Sequence, residues 1–371
     1  MNFLKNSFNL VEEYKGLLKA VKENLTPSVV TGVSGIHKCG MISSLLKDSQ
    51  KKALVIAADE AEANRFKDDL INMGTSAAVY PLRDFCFRQT AGTSHEYERQ
   101  RLEALSRYIS GSCDCIIACA DAALQYTIGP VELKSKMFTL SPGMEIKPDE
   151  IITRLVKCGY TREEQIEGNG QCSQRGGIVD FFPPGEQNPA RIEFWGDEID
   201  SISYFDIATQ RRTDSIEKIN ISPCIEVIPE SNNILAKKIE KLASSIRGKQ
   251  AAVAKPVLLD EAEKIKNGVY ISSIDKYISL IYDRPATLFD YFNEDEDIIF
   301  FSESNKLKER IRTSLWQWGE DIKTYLKEGI LCKSLDTFSE TWEYALIKAE
   351  KVPSVFMDVF ARGSYEIPTK T

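Results

Sequence analysis

Gln174-Arg175-Gly176-Gly177-Ile178-Val179-Asp180-Phe181-Phe182-Pro183-Pro184-Gly185, followed by Ala190-Arg191-Ile192-Glu193-Phe194-Trp195-Gly196-Asp197-Glu198-Ile199-Asp200, is the stretch on which the reading of this chain turns. The apolar run Ile178 to Phe182 lies between Gly-Gly and Pro-Pro-Gly, which predicts one short strand between two turns. Arg191 to Trp195 predicts a second strand, with Ile192 and Phe194 on one face and Arg191, Glu193 and Trp195 on the other. Gly196-Asp197 then turns the chain into a third strand, Ile199 to Phe205. The result is an antiparallel meander with one wet face, and solvation alone accounts for Arg175, Arg191 and Glu193 there.

Before this stretch the pattern is β-α. A helix is expected over residues 3–24, with Leu4, Phe8, Val11, Tyr14, Leu18 and Val21 near one face. Short apolar runs at Ser28 to Val33, Ala53 to Ala58, Ala77 to Tyr80 and Cys115 to Cys119 alternate with helical segments, as buried parallel strands require. After the meander the chain turns helical, and the run Ile298 to Phe301 is suited to rejoin the parallel sheet. The fold class expected is α/β: a helicase-like (P-loop NTPase-like) parallel-sheet domain with an inserted α+β antiparallel-meander domain, plus the start of a further small domain. The expected bounds are 1–126, 127–221 for the insertion, 222–312 completing the first domain, and 313–371 for linker and third domain. The element beginning at Tyr365 to Pro368 makes the chain read as a segment of a longer one.

A net charge of -8 over 371 residues opposes a sequence-independent grip on the phosphate backbone. No apolar run reaches membrane-span length and the N-terminus is unlike a secretory signal, so a cytoplasmic location is expected. The nine cysteines are scattered. Cys113, Cys115 and Cys119 could share a face and hold a metal, but with only two histidines in the chain buried thiols are the better reading, and no metal is expected.

The first strand runs into Gly32-Val33-Ser34-Gly35-Ile36-His37-Lys38-Cys39, where a phosphate-binding loop would sit. Gly32, Gly35 and Lys38 keep their places in such a motif. His37 replaces the glycine before the lysine, with a cost if that position needs positive φ, and Cys39 replaces the hydroxyl that ligates Mg²⁺. A disabled nucleotide loop and a plain strand-to-helix turn both fit the spacing. Two further runs resemble an apolar strand ending in Asp-Glu; Asp59 is read as a helix cap, and Asp260-Glu261 as part of an acid-rich helix start after Pro256.

Gly159-Tyr160, Arg175-Gly176, Val179-Asp180-Phe181-Phe182-Pro183, Arg191-Ile192-Glu193-Phe194, Asp197-Glu198-Ile199-Asp200-Ser201, Phe205-Asp206 and Thr209-Gln210-Arg211 fall in register over some fifty positions. Together they resemble the inserted domain shared by the nucleotide excision repair protein UvrB and the transcription-repair coupling factor (Mfd) family, and Phe-Asp-x-x-Thr-Gln-Arg favours the latter. The resemblance implies that this domain docks UvrA, with Arg162, Arg175 and Glu193 on the contact face and Ser173 standing where UvrB has another arginine. It tips the Gly32 loop towards a lost nucleotide site. Where UvrB carries Asp-Glu-Ser-His, this chain reads Ser302-Glu303-Ser304-Asn305. The interval Phe85 to Glu98 is too short and too poor in aromatics for UvrB's DNA-threading hairpin.

The reading implied is a non-catalytic adaptor for transcription-coupled nucleotide excision repair, recruiting UvrA to stalled RNA polymerase. It has no catalytic residue, no cofactor and no membrane partner, and is a monomer. In the family, polymerase and DNA contacts, ATP and Mg²⁺ belong to further domains with intact translocase motifs. The alternative is a UvrB-like ATP-dependent DNA damage-binding helicase subunit, for which Lys38 and Glu303 speak and against which Cys39 and Ser302 speak. A DNA-binding module is opposed by the acidic balance.

Overall fold

The structure, a computed structural model, describes residues 8, 10–89 and 94–360. Leu4, the start of the first expected helix and the Tyr365 to Pro368 element lie outside them. The chain divides into two units: residues 1–93, 110–129 and 229–371 form the first, and 94–109 with 130–228 the second.

The first unit is built on a six-stranded parallel sheet of β1 (Ser28–Thr31), β2 (Lys52–Ala57), β3 (Ala77–Tyr80), β4 (Cys115–Cys119), β13 (Asp297–Ser302) and β14 (Ser354–Asp358), in the order β1-β14-β13-β2-β4-β3. Every residue of β4, β13 and β14 is buried, so continuous apolar runs, not alternation, encode these strands. The expected return of Ile298 to Phe301 to the sheet occurs. β14 falls in the span 313–371 assigned above to linker and third domain, yet it lies inside this sheet, where it separates β1 from β13. Its run Val355, Phe356 and Met357 has the all-apolar character that such a position demands.

Helix Glu60–Asn72 follows β2, and Asp59 caps it by accepting from the Glu62 amide at 2.7 Å. The helix around Asp260 runs from Lys249 to Lys266 with Pro256 inside it, so the proline does not begin it. Phe85 and Phe87 are buried and pack with Trp318, Tyr325 and Phe338, ring centroids 4.5–6.2 Å from their partners. These rings are spent on the core, not held out as stacking platforms.

The second unit holds the meander, a six-stranded sheet ordered β11-β10-β9-β8-β7-β6. Its strands are β6 (Thr161–Arg162), β7 (Gln171–Arg175), β8 (Ile178–Phe181), β9 (Ala190–Trp195), β10 (Glu198–Phe205) and β11 (Arg212–Ser215). All pairings are antiparallel except β6 with β7. A two-stranded sheet pairs β5 (Phe138–Leu140) with β12 (Ile219–Ile221). Helix Pro148–Lys157 buries Ile151, Ile152 and Leu155 in one core with Val179, Phe181, Ile192, Ile199 and Ile202. Phe181 and Phe182, at the end of β8, are buried.

Helix Glu96–Ile109 also belongs to this unit. Its Arg101, fully buried, pairs with the equally buried Glu226 at 2.7 Å, and the Glu226 amide donates to Glu98 at 2.7 Å. A buried ion pair left without one partner is strongly destabilising, so helix and residues 222–228 are tied to the meander as one body. Where the sequence reading gave 127–221, the unit comprises 94–109 together with 130–228, and 110–129 belong to the first unit.

No described helix is long and apolar enough to cross a membrane. Among the described residues no group of His, Cys, Asp and Glu could hold a metal ion. Cys113, Cys115 and Cys119 are buried thiols, and burial pushes Cys119 up to about 12.

Candidate functional site

In the first unit the loop after β1 and the carboxyl end of β13 converge, which in parallel sheets is where ligands usually bind. Gly32 and Gly35 both have positive φ, 80° and 51°, and the second caps helix Ile36–Ser49. His37 lies within that helix, exposed and without positive φ, so the strain anticipated for a side chain there is not present. Lys38 is 2% exposed. Its ammonium donates to Glu303 Oε1 at 2.7 Å and Ser302 Oγ at 3.0 Å. Ser302 in turn donates to Glu62 Oε1 at 3.0 Å. One lysine thus faces two carboxylates, and its charge is spent inside the protein. Cys39 points its thiol at Asp69, 3.9 Å away, and burial first, then that carboxylate, pushes its pKa up to about 12. A neutral, buried thiol is a poor ligand for a hard cation. Ser302, which stands where UvrB carries an aspartate, relays between Lys38 and Glu62.

In the second unit, strand register sorts the charged residues into rows. Arg175 stands opposite Ile178, Ile178 opposite Glu193, and Glu193 opposite Ser201, which places Arg175 and Glu193 in one row of the wet face. The adjacent row runs Ser173, Asp180, Arg191, Ser203. Arg162 is not brought into this array. It pairs in register with Cys172, whose row continues into Phe181 and Ala190 on the core side, so Arg162 is an exposed residue of a two-residue edge strand.

Asp180 organises the wet face, and its role was missed in the sequence. It is 2% exposed and accepts from Arg191 Nε at 2.7 Å, from an Arg191 terminal nitrogen at 2.9 Å and from Arg175 at 3.0 Å. The Arg191 guanidinium also lies 4.4 Å from the centre of the Phe205 ring. Arg191 is thereby fixed, whereas the Arg175 side chain is 50% exposed with donors left over. The signal for Asp180 was present: a carboxylate in the middle of Ile-Val-Asp-Phe-Phe has to be paired. Glu193 pairs with Arg212, itself half exposed, and accepts from Ser201 at 3.5 Å.

Residues 138–226 match the model of the UvrB interaction domain. The chain is 30% identical over 371 residues to the transcription-repair-coupling factor of Bacillus subtilis (strain 168), covering 97% of this chain and 31% of the relative. It is 30% identical over 293 residues to that of Staphylococcus aureus (strain MRSA252), covering 76% of this chain and 25% of the relative. The factor of Staphylococcus haemolyticus (strain JCSC1435) is 28% identical over 311 residues, with 81% and 26% covered. The chain spans about a third or less of the length of these relatives. Its meander is a UvrB interaction domain, and the chain is identified with the UvrB-like module of the transcription-repair-coupling factor family.

Proposed function

We propose that this chain is a non-catalytic adaptor that docks UvrA and so brings nucleotide excision repair to stalled RNA polymerase. Polymerase and DNA would be engaged by regions that the longer relatives possess. Arg175 is the observation that carries the reading: a half-exposed guanidinium, braced by a carboxylate it shares with Arg191, on the outer face of a UvrB interaction domain. A guanidinium so held loses little side-chain entropy when a partner carboxylate arrives, which suits an interface hot spot. Glu193 extends the row with Arg212 paired to it, and Arg162 contributes from the edge strand.

The first unit is, in the same reading, a helicase-like frame whose nucleotide site has been lost. Lys38 and Glu303, the residues that would favour an ATP-dependent enzyme, bond each other. A triphosphate would have to displace Glu303 and then face both it and Glu62 as uncompensated like charges. The adaptor works without cofactor or metal, as a monomer, in the cytoplasm.

Titration of the purified chain with UvrA tests the proposal. Saturable binding that Arg175→Glu weakens by more than about 30-fold, with the circular dichroism spectrum unchanged, is the expected outcome. Full binding by that variant would place the contact elsewhere.

A further inference from the structure

The wet face of the second unit holds one residue that neither solvation nor packing explains. Trp195 is 82% exposed on β9, two residues beyond Glu193 and on the same side of the strand. What sets this aromatic apart from other exposed side chains is its place at the end of a charged row, where an indole can serve as the anchor of an interface.

Its surroundings give the surface a shape. The turn Gly176-Gly177 runs beside β9, since the Phe194 amide donates to the Gly177 carbonyl at 3.0 Å. Gly176 is required by its backbone, with φ 59°. Gly177 is not, because its φ lies outside the left-handed region and a Cβ there would meet only the Phe194 carbonyl at 3.6 Å and Cβ at 3.9 Å. Both glycines are exposed. They leave a strip of bare backbone between the guanidinium of Arg175 and the indole of Trp195, whose Cα atoms lie about 12 Å apart from strand spacing and rise. Opposite Trp195, on β10, stands the exposed Glu198. The surface thus runs from two guanidiniums sharing one carboxylate, across a shelf without side chains, to an indole, and ends in an acid.

We propose that Trp195 and the Gly177 shelf form the second half of the UvrA docking face. The partner surface would offer a carboxylate to Arg175, a close-fitting ridge over Gly177, an apolar recess for Trp195, and no acid against Glu198. The charge order fixes orientation and the indole supplies the buried anchor. This rests on the docking of UvrA proposed above.

The test is titration of UvrA with the whole chain and its Trp195→Ala, Gly177→Gln and Arg175→Glu variants, with thermal unfolding as the fold control and the exposed Trp316→Ala of the first unit as reference. Trp195→Ala should weaken binding by about 30-fold or more, and Gly177→Gln by at least about tenfold through steric exclusion, both with unchanged melting. If Arg175→Glu removes binding while Trp195→Ala and Gly177→Gln stay within about twofold of wild type, UvrA docking stands and this extension of it is wrong. If wild-type chain does not bind UvrA, both fall together.

Discussion

Lys38 and Arg175 are two cations set beside glycine turns, and the protein treats them in opposite ways. Lys38 is buried, held by Glu303 and Ser302, with Glu62 behind them. Arg175 is half exposed and shares Asp180, its one carboxylate partner among the described residues, with Arg191. The first arrangement consumes a charge to fasten β13 to the helix after β1. The second displays a charge, using the buried Asp180 as a brace. A cation near a glycine turn is therefore no guide to function until the carboxylates around it have been identified.

The sharpest way to break this contrast is to remove the inward partner. Glu303→Ala should destabilise the protein by about 3–5 kcal/mol in denaturant unfolding, because Lys38 is left charged in a dry site. The double variant Lys38→Met with Glu303→Leu should recover most of that loss. A single-variant cost under about 1 kcal/mol would mean that the pair is effectively solvated and that the contrast fails.

On the displayed side, Arg175→Ala should cost about 2 kcal/mol of UvrA affinity and leave stability within about 0.5 kcal/mol. Equal losses of affinity and stability would show that Arg175 serves the fold. Smaller still is the response expected to ATP with Mg²⁺: isothermal titration should give no saturable heat in the micromolar range. A saturable isotherm that Lys38→Ala abolishes would revive the nucleotide-dependent alternative. Lys323→Ala, which loses only an exposed pair with Glu320, should change neither stability nor UvrA binding measurably.

Much of the second unit was legible because its signals are local. Gly-Gly, Pro-Pro-Gly and Gly-Asp mark the turns, and alternation marks β9, so strands and faces followed directly. What escaped is non-local. Strand parity could not reveal that Arg162 pairs with Cys172, since the loop between β6 and β7 fixes that register. Nothing near Arg101 announces Glu226 as its partner. In the first unit, the departures from the motif at Cys39 and Ser302 are visible in the sequence, whereas the bond from Lys38 to Glu303 spans 265 positions and needed the fold. His37 was judged by a motif's backbone; the helix begins one residue before it, and the strain is absent.

The position of β14 sets an order of assembly. β1, at the edge of the parallel sheet, is hydrogen-bonded to β14 alone among the described strands, so Ser28 pairs with Val355 across most of the chain. On the ribosome, β1 has no partner among the described strands until the chain has been made as far as β14. The meander, closed by Glu226, can complete its sheet and its buried Arg101 pair well before that. At roughly 5–20 residues per second the interval is several seconds or more, during which the waiting first unit exposes unpaired apolar strands while the second is already folded. The meander unit should thus be the earlier, more autonomous folder, and chaperone dependence should fall on the first unit.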